Sequence, residues 1–251
     1  MKALLAWAPE PFPEIRPGDD LAAAIVAALS GAGLTPEPRD VVVVAHKVVS
    51  KAEGSVVDLR TVTPSAAALD LAAQSSKDPR LAEVILWESR SIRRVRPGLI
   101  IAEHRLGFVC ANAAVDHSNV GLGDDVVVVL PADPDASAER LRAALREAFS
   151  VDVGVIVNDS HGRPFREGSI GVAIGAAGLR VRRSYIGEPD RYGYVLRVSE
   201  EAVGDELAAM ANLLQGQAAE GTPLVLIRGV DHQGTALGAD LVRGEGEDLF
   251  R

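Results

Sequence analysis

An amide, a carboxylate, a hydroxyl, an imidazole and a guanidinium crowd into Asn158-Asp159-Ser160-His161-Gly162-Arg163, directly after the apolar run 153–157. A core has no use for such a cluster. The end of a buried strand is where parallel and mixed sheets present their chemistry. A second polar stretch, 112–119, holds Asn112, Asp116, His117, Ser118 and Asn119 between apolar segments. Asp116 and Asp159 are each a single carboxylate in a loop that follows apolar residues. Read singly, an Asx turn or a cap explains either one. Read as a pair among so many polar neighbours, they point elsewhere. Two ionised carboxylates brought together repel, and a divalent cation resolves that. Mg2+ or Mn2+ takes carboxylate, hydroxyl, amide and water oxygens, which both stretches offer.

A third stretch, 46–54, places Lys47 and Lys51 four residues apart after a β-branched run. In an extended chain both face one side, and two ammonium groups there suit phosphate oxygens. Ordinary surface lysines on a solvated strand end are the competing reading. Asp159, Ser160 and His161 do not make a hydrolase triad, because adjacent strand residues point to opposite faces. Gly171 and Gly175 allow either close packing of elements or close approach of backbone N–H groups to a phosphate. Arg163 and Arg166 read as anion ligands or as surface ion pairs. Gly216 is a natural helix stop, flanked by Gln215 and Gln217, which can donate oxygens to a cation. His104 and His232 lack partners in sequence and read as surface or satisfied positions. Cys110 reads as a buried, inert thiol.

The elements that must carry these groups follow from periodicity. Residues 2–7, 40–49, 153–157 and 222–228 read as strands, with 91–95, 99–102, 107–110, 125–130, 179–185 and 194–198 as shorter ones. Helices are expected from Asp19 or Asp20, from Thr63-Pro64, from Asp78-Pro79, from Asp135 or Ser137 to 149, and over 199–214. Strands and helices mix without a strict βαβ rhythm. The fold class is therefore α+β, or irregular mixed α/β, with mixed sheets and flanking helices. It is neither Rossmann nor P-loop: no G-x-x-x-x-G-K-[ST] occurs, and Gly121-Leu122-Gly123 opens into a strand rather than a helix. The 251 residues make one unit, or two subdomains whose boundary the sequence does not mark. A net charge of −9 argues against nucleic-acid binding, which runs on phosphate neutralisation. One cysteine excludes an intrachain disulfide. With no signal peptide and no membrane-length apolar run, a soluble cytoplasmic protein is expected.

Taken together, the motifs resemble those of coenzyme F420-0:L-glutamate ligases, the γ-glutamyl ligases. Residues 46–54 resemble their "VSKAEG" segment, 112–120 their "NAxxDxSNV" loop, and 158–165 their "[TN]D[TS]xGRxxR" segment, followed by a "G.AIG..G" at 171–178. Arg16-Pro17-Gly18-Asp19-Asp20-Leu21 and Ala211-Asn212-Leu213-Leu214 also fit, so nearly the whole chain is covered in order. The resemblance implies GTP-dependent ligation of L-glutamate to the deazaflavin F420-0 through an acyl phosphate, with further γ-linked glutamates added, and GDP as a product. It implies a carbon–nitrogen ligase of coenzyme F420 biosynthesis that uses Mg2+ or Mn2+, with K+ assisting. Asp116, Asp159, Ser160 and Gln217 would hold the divalent ions, and Gln217 stands where archaeal members carry a glutamate. Asp116, Asp159 and Lys51 would be the catalytic residues. GTP would touch Phe12, Pro13, Glu14, Ile15, His46, Lys47, Lys51 and Asn119. It would also touch the loop Gln215, Gly216, Gln217, Ala218, Ala219, Glu220, Gly221 and Thr222. The resemblance further implies an intertwined homodimer, and no fused C-terminal flavin reductase domain is expected. An amide ligase for a different acid or amino acid shares these motifs, and a non-catalytic deazaflavin- or nucleotide-binding module is a further alternative.

Overall fold

The computed structural model describes residues 3–232, 234–244, 246 and 248. The elements run β1 (Leu5–Trp7), α1 (Leu21–Gly31), β2 (Val41–Ala45), α2 (His46–Ala52), β3 (Val56–Asp58), α3 (Ala66–Ser75), α4 (Pro79–Trp87), β4 (Ser89–Arg96), β5 (Leu99–His104) and β6 (Val109–Ala111). They continue β7 (Val126–Val128), α5 (Pro134–Phe149), β8 (Gly154–Arg163), β9 (Arg166–Ala177), β10 (Arg183–Ser184), β11 (Glu200–Glu201), α6 (Val203–Gln215) and β12 (Leu224–Arg228).

A five-stranded sheet in the order β1-β12-β2-β8-β9 organises one part of the chain. Only β2 and β8 pair in parallel; the other neighbours are antiparallel. Alternation decides which core each residue enters. Val42, Val44, Val155, Val157, Leu224 and Leu226 pack with Ile25, Leu29, Leu141 and Leu145 of α1 and α5. Val41, Val43, Ile156, Val225 and Ile227 pack on the other side with Leu207, Ala208 and Ala211 of α6. With both faces covered, these strands read as unbroken apolar runs. A third core gathers Leu71, Ala72, Val84, Ile85, Ile100 and Val127. It lies among α3, α4, the antiparallel sheet β4-β5-β6 and the pair β3-β7. This is the mixed α+β architecture expected, and no doubly wound sheet occurs among the described residues.

Local signals set several boundaries. Asp20 caps α1 by accepting from the Ala23 N–H, and Asp78 caps α4 ahead of Pro79. Gly171 and Gly175 of β9 are packing glycines. A Cβ would lie 2.3 Å from the Ala208 carbonyl oxygen at the first and 2.3 Å from that of Pro134 at the second. Helices α6 and α5 therefore approach the sheet only because these positions carry no side chain.

Elsewhere the structure departs from the sequence reading. The strand expected over 40–49 ends at Ala45, whose N–H still reaches the Pro223 carbonyl. Strand β12 begins at Leu224, opposite Val44, so the ladder on that side ends here, and Val48 and Val49 bury themselves on a helix instead. Asp159, Ser160 and His161 stand not in a loop but in the distal half of the β8–β9 hairpin. Thr63-Pro64 does not start a helix; Ser65 caps α3 two residues later. Of 179–185 only Arg183–Ser184 is strand, paired with Glu200–Glu201, and 194–198 is none. Tyr194 and Val198 are exposed, so their alternation has no core to meet. The helix expected from 199 begins at Val203, where burial begins. Strand β1 starts at Leu5, and Lys2 lies outside the described residues. No helix among the described residues is long and apolar enough to cross a membrane.

Candidate functional site

The parallel pair β2 and β8 comes level at Ala45 and Asn158, which face each other across the ladder. The next residue on each chain, His46 and Asp159, therefore leaves the same edge. His46 Nε2 lies 3.3 Å from Asp159 Oδ1. Asp116 arrives from the other side of the cleft. It is held by reciprocal backbone bonds with Val128, at 2.9 and 2.8 Å. The three residues before Val115 (Asn112, Ala113 and Ala114) all adopt left-handed φ of 50–53°. That conformation costs a non-glycine residue about 1 kcal/mol or more and persists where the surroundings impose it. The turn swings Asp116 towards His46, whose Nε2 is 3.2 Å from Asp116 Oδ2. His46, Asp116 and Asp159 thus offer donor atoms within 4.8 Å of one another, the one such cluster of three found among the described residues.

Hydrogen bonds fix the orientation of each group. His161, two residues beyond Asp159 on the same strand face, sits with Nε2 3.0 Å from Asp159 Oδ2. Phe108 packs edge-on against the His161 ring at 5.9 Å between centroids. Ser160 engages other partners. Its Oγ donates to Asn212 Oδ1 at 2.8 Å and accepts from Gln217 Nε2 at 2.9 Å. Asn158 and Gln215 exchange amide hydrogen bonds of 2.7 and 3.1 Å, tying β8 to the end of α6. Asn119 Nδ2 donates to the Ala218 carbonyl at 2.8 Å, which closes the 112–119 segment onto the 215–222 loop. Lys47 and Lys51 lie one turn apart on α2, so helical rather than extended geometry gives them a common face. Lys47 Nζ is 3.2 Å from Asp116 Oδ2, and Lys51 pairs with Glu14.

Electrostatics in this cluster are strongly coupled. Burial alone would push the His46 imidazole down. The Asp159 charge and the hydrogen bonds to Asp116 and Asp159 outweigh it and raise the group to about 9. Burial would likewise raise Asp159, yet His46 and His161 hold its carboxyl well below the usual range. Cys110, near both carboxylates, is pushed up to about 12 chiefly by burial, so its thiol stays neutral, as the sequence reading expected. Two carboxylates and one imidazole converging on one point form a donor set that fits a divalent cation. In the protein alone, the charges of His46 and Lys47 stand against the two carboxylates.

A cavity of about 570 Å3 opens over this cluster. Asp116, Asp159 and Ser160 line it, and so do Phe12, Pro13, Glu14, Ile15, His46, Lys47, Lys51, Asn119 and all of 215–222. Residues separated by up to some two hundred positions in sequence share one wall. Arg163 and Arg166 are not among the lining residues; they stand at the far end of the hairpin. His104 and His232 are buried rather than at the surface, and each has a partner: Glu88 for His104, the Arg39 carbonyl for His232. Sequence reasoning missed three contributors. His46 was grouped with nucleotide contacts, not with the carboxylates; its place directly after a parallel strand was the signal. Strand alternation would have put His161 on the face of Asp159. Asn212 carried no local signal, since its partner Ser160 is 52 residues away.

Comparison with known proteins bears on all of this. The family model described as F420-0:Gamma-glutamyl ligase matches residues 11–229. The protein named Coenzyme F420:L-glutamate ligase from Methanopyrus kandleri is 48% identical over 250 residues, covering 96% of this chain and 96% of its own. Its namesake from Methanothermobacter thermautotrophicus is 48% identical over 220 residues, 88% of this chain and 86% of the relative. That from Archaeoglobus fulgidus is 40% identical over 242 residues, 96% of this chain and 94% of the relative.

Proposed function

The chain belongs to the F420-0:gamma-glutamyl ligase family, and on that premise we propose that it joins L-glutamate to the deazaflavin F420-0 in coenzyme F420 biosynthesis. GTP drives the reaction in this reading. A carboxylate oxygen of the acceptor attacks the γ-phosphorus and releases GDP. The glutamate amine then attacks the acyl carbon, a proton leaves the nitrogen, and phosphate departs as the amide forms. Further rounds extend a γ-linked tail.

The observation that carries this reading is the convergence of Asp116 and Asp159 beneath a cavity whose walls also hold Lys47 and Lys51. Phosphoryl transfer asks a protein for positioning and charge neutralisation more than for a nucleophile. Asp116 and Asp159 would hold Mg2+ or Mn2+, with Ser160 and Gln217 beside them, and K+ assists. The cation, when bound, neutralises phosphate charge and polarises the transferred group. Lys47 and Lys51 point ammonium groups at phosphate oxygens from one helix face. The 215–222 loop and 12–15 enclose the nucleotide, and Asn119 holds two walls together. We also propose a homodimer; the outward-facing Ile186, Tyr192, Tyr194 and Val198 support it.

The test is mass spectrometry of the product after incubation with F420-0, L-glutamate, GTP and Mn2+. The expected product is the acceptor extended by glutamyl residues, with one GDP per residue added. GTP hydrolysis indifferent to acceptor and glutamate would overturn the assignment.

A further inference from the structure

We propose that His46 is a nitrogen ligand to the divalent cation between Asp116 and Asp159, and that it biases the site towards Mn2+ over Mg2+. The proposal rests on the metal-dependent reading above and adds to it a donor of a different kind. Its ground is spacing. His46 Nε2 stands 3.2 Å from Asp116 Oδ2 and 3.3 Å from Asp159 Oδ1. Neighbouring corners of an octahedron with bonds of about 2.2 Å are roughly 3 Å apart. The imidazole nitrogen therefore already stands to each carboxylate oxygen as adjacent ligands of one ion would, and the three donor atoms lie within 4.8 Å of one another.

The ring is also held as a ligand is held. His46 is 2 % exposed and is the first residue of α2, so its backbone is set by the end of β2. Its other nitrogen, Nδ1, lies 3.4 Å from the hydroxyl of Ser50, one helical turn on and fully buried. Metal-bound imidazoles carry such a partner on the second nitrogen, which fixes ring orientation and leaves the first free to coordinate. A structural histidine would share one Nε2–H between oxygens on two different side chains, bent to both, whereas one cation can lie between all three donors. Asp116 does not need His46 for charge balance, because Lys47 already reaches the same oxygen.

The consequence is selectivity. Mg2+ is a hard ion that prefers oxygen donors, while imidazole nitrogen favours first-row transition ions. An all-oxygen site would separate the two weakly; one nitrogen tilts it towards Mn2+.

Pulsed electron paramagnetic resonance on the full chain with Mn2+ alone decides the matter. The expected spectrum shows directly coordinated nitrogen, changes when the protein carries heavy-nitrogen histidine, and loses that coupling in His46→Gln. In metal titrations the Mn2+ to Mg2+ affinity ratio of that variant falls by about tenfold or more. Bound Mn2+ without histidine coupling, or coupling that survives His46→Gln and vanishes in His161→Gln, would overturn the proposal and leave the ligase reading standing. Mn2+ binding unchanged in both Asp116→Asn and Asp159→Asn would remove the metal reading itself, and the proposal with it. The wild-type spectrum shows whether a histidine coordinates, however stable the variants are.

Discussion

The two carboxylates of the cleft are held in opposite ways. Asp159 stands on a long hairpin strand, largely buried, with each oxygen assigned: Oδ1 to His46 and Oδ2 to His161. Asp116 follows a left-handed turn of non-glycine residues and is 31% exposed. One half of the site is thus built into the sheet, and the other is presented by strained backbone resting on the third core through Ala113 and Val115. The contrast teaches that position can be fixed in two ways. The sheet half holds its carboxylate by strand pairing and buried partners. The turn half holds its carboxylate by backbone that the surrounding core imposes, and is tied to the 215–222 loop by Asn119.

The largest expected effect separates the halves by stability rather than by turnover. Asp159→Asn and Asp116→Asn both remove a charge from the cation site, so ligase turnover should fall at least about a thousandfold in each. Chemical denaturation of the metal-free protein should separate them. Asp159→Asn breaks a buried pair and costs roughly 3 kcal/mol, whereas Asp116→Asn, at a partly exposed carboxylate, costs about 1 kcal/mol or less. Both should keep a native circular dichroism spectrum. Equal destabilisation would erase the distinction, and full activity in Asp159→Asn would sink the assignment.

Next comes the pH dependence of the metal-free chain. The folded His46 value is raised from 6.5 to about 9. Its stabilising contribution is therefore complete below about pH 6.5 and is lost as pH rises through 9, up to about 3 kcal/mol in all. Asp159 works from the other side: its depressed value gives stability that is present above its ordinary value of 3.8 and lost as pH falls through the depressed one. Denaturation midpoints should fall as pH rises from 6.5 to about 9 in the wild type. His46→Gln should flatten that slope; a slope unchanged in the variant would place the titration elsewhere.

The smallest effect probes the turn half. Asn119 has a φ of 56° and donates to Ala218. Asn119→Gly keeps the backbone freedom and removes only the hydrogen bond, costing about 0.5–1 kcal/mol. Asn119→Ala adds about 1 kcal/mol for the left-handed conformation. Thermal denaturation of the two variants side by side measures the backbone contribution by difference. Identical midpoints would mean that the backbone there is unstrained.

Much of the site was legible because its groups announce themselves by type. A carboxylate after an apolar run, a glycine at a helix end and two lysines four residues apart are local facts. What stayed hidden was non-local or depended on where pairing stops. Nothing in His46-Lys47-Val48-Val49 distinguishes a continuing strand from a helix, since valine suits the former. The choice follows where the ladder with β12 ends, at Val44 and Leu224. Nothing in Asn112-Ala113-Ala114 advertises left-handed backbone, because no glycine marks it and the surrounding core imposes it. Tyr194 and Val198 alternate like a strand but have no sheet to join.

The sequence by itself determined the α+β class, the mixture of strands and flanking helices and the identities of the acids that meet in the cleft. It could do so because burial, periodicity and chemical type are properties of single residues and their near neighbours. The tertiary structure alone decided that His46 stands between those acids, that His161 and Asn212 hold Asp159 and Ser160, and that Gly171 and Gly175 serve close packing. Each of these is a distance between residues remote in the chain. Such distances are set by which strands lie side by side and how closely helices approach them, which no local pattern encodes.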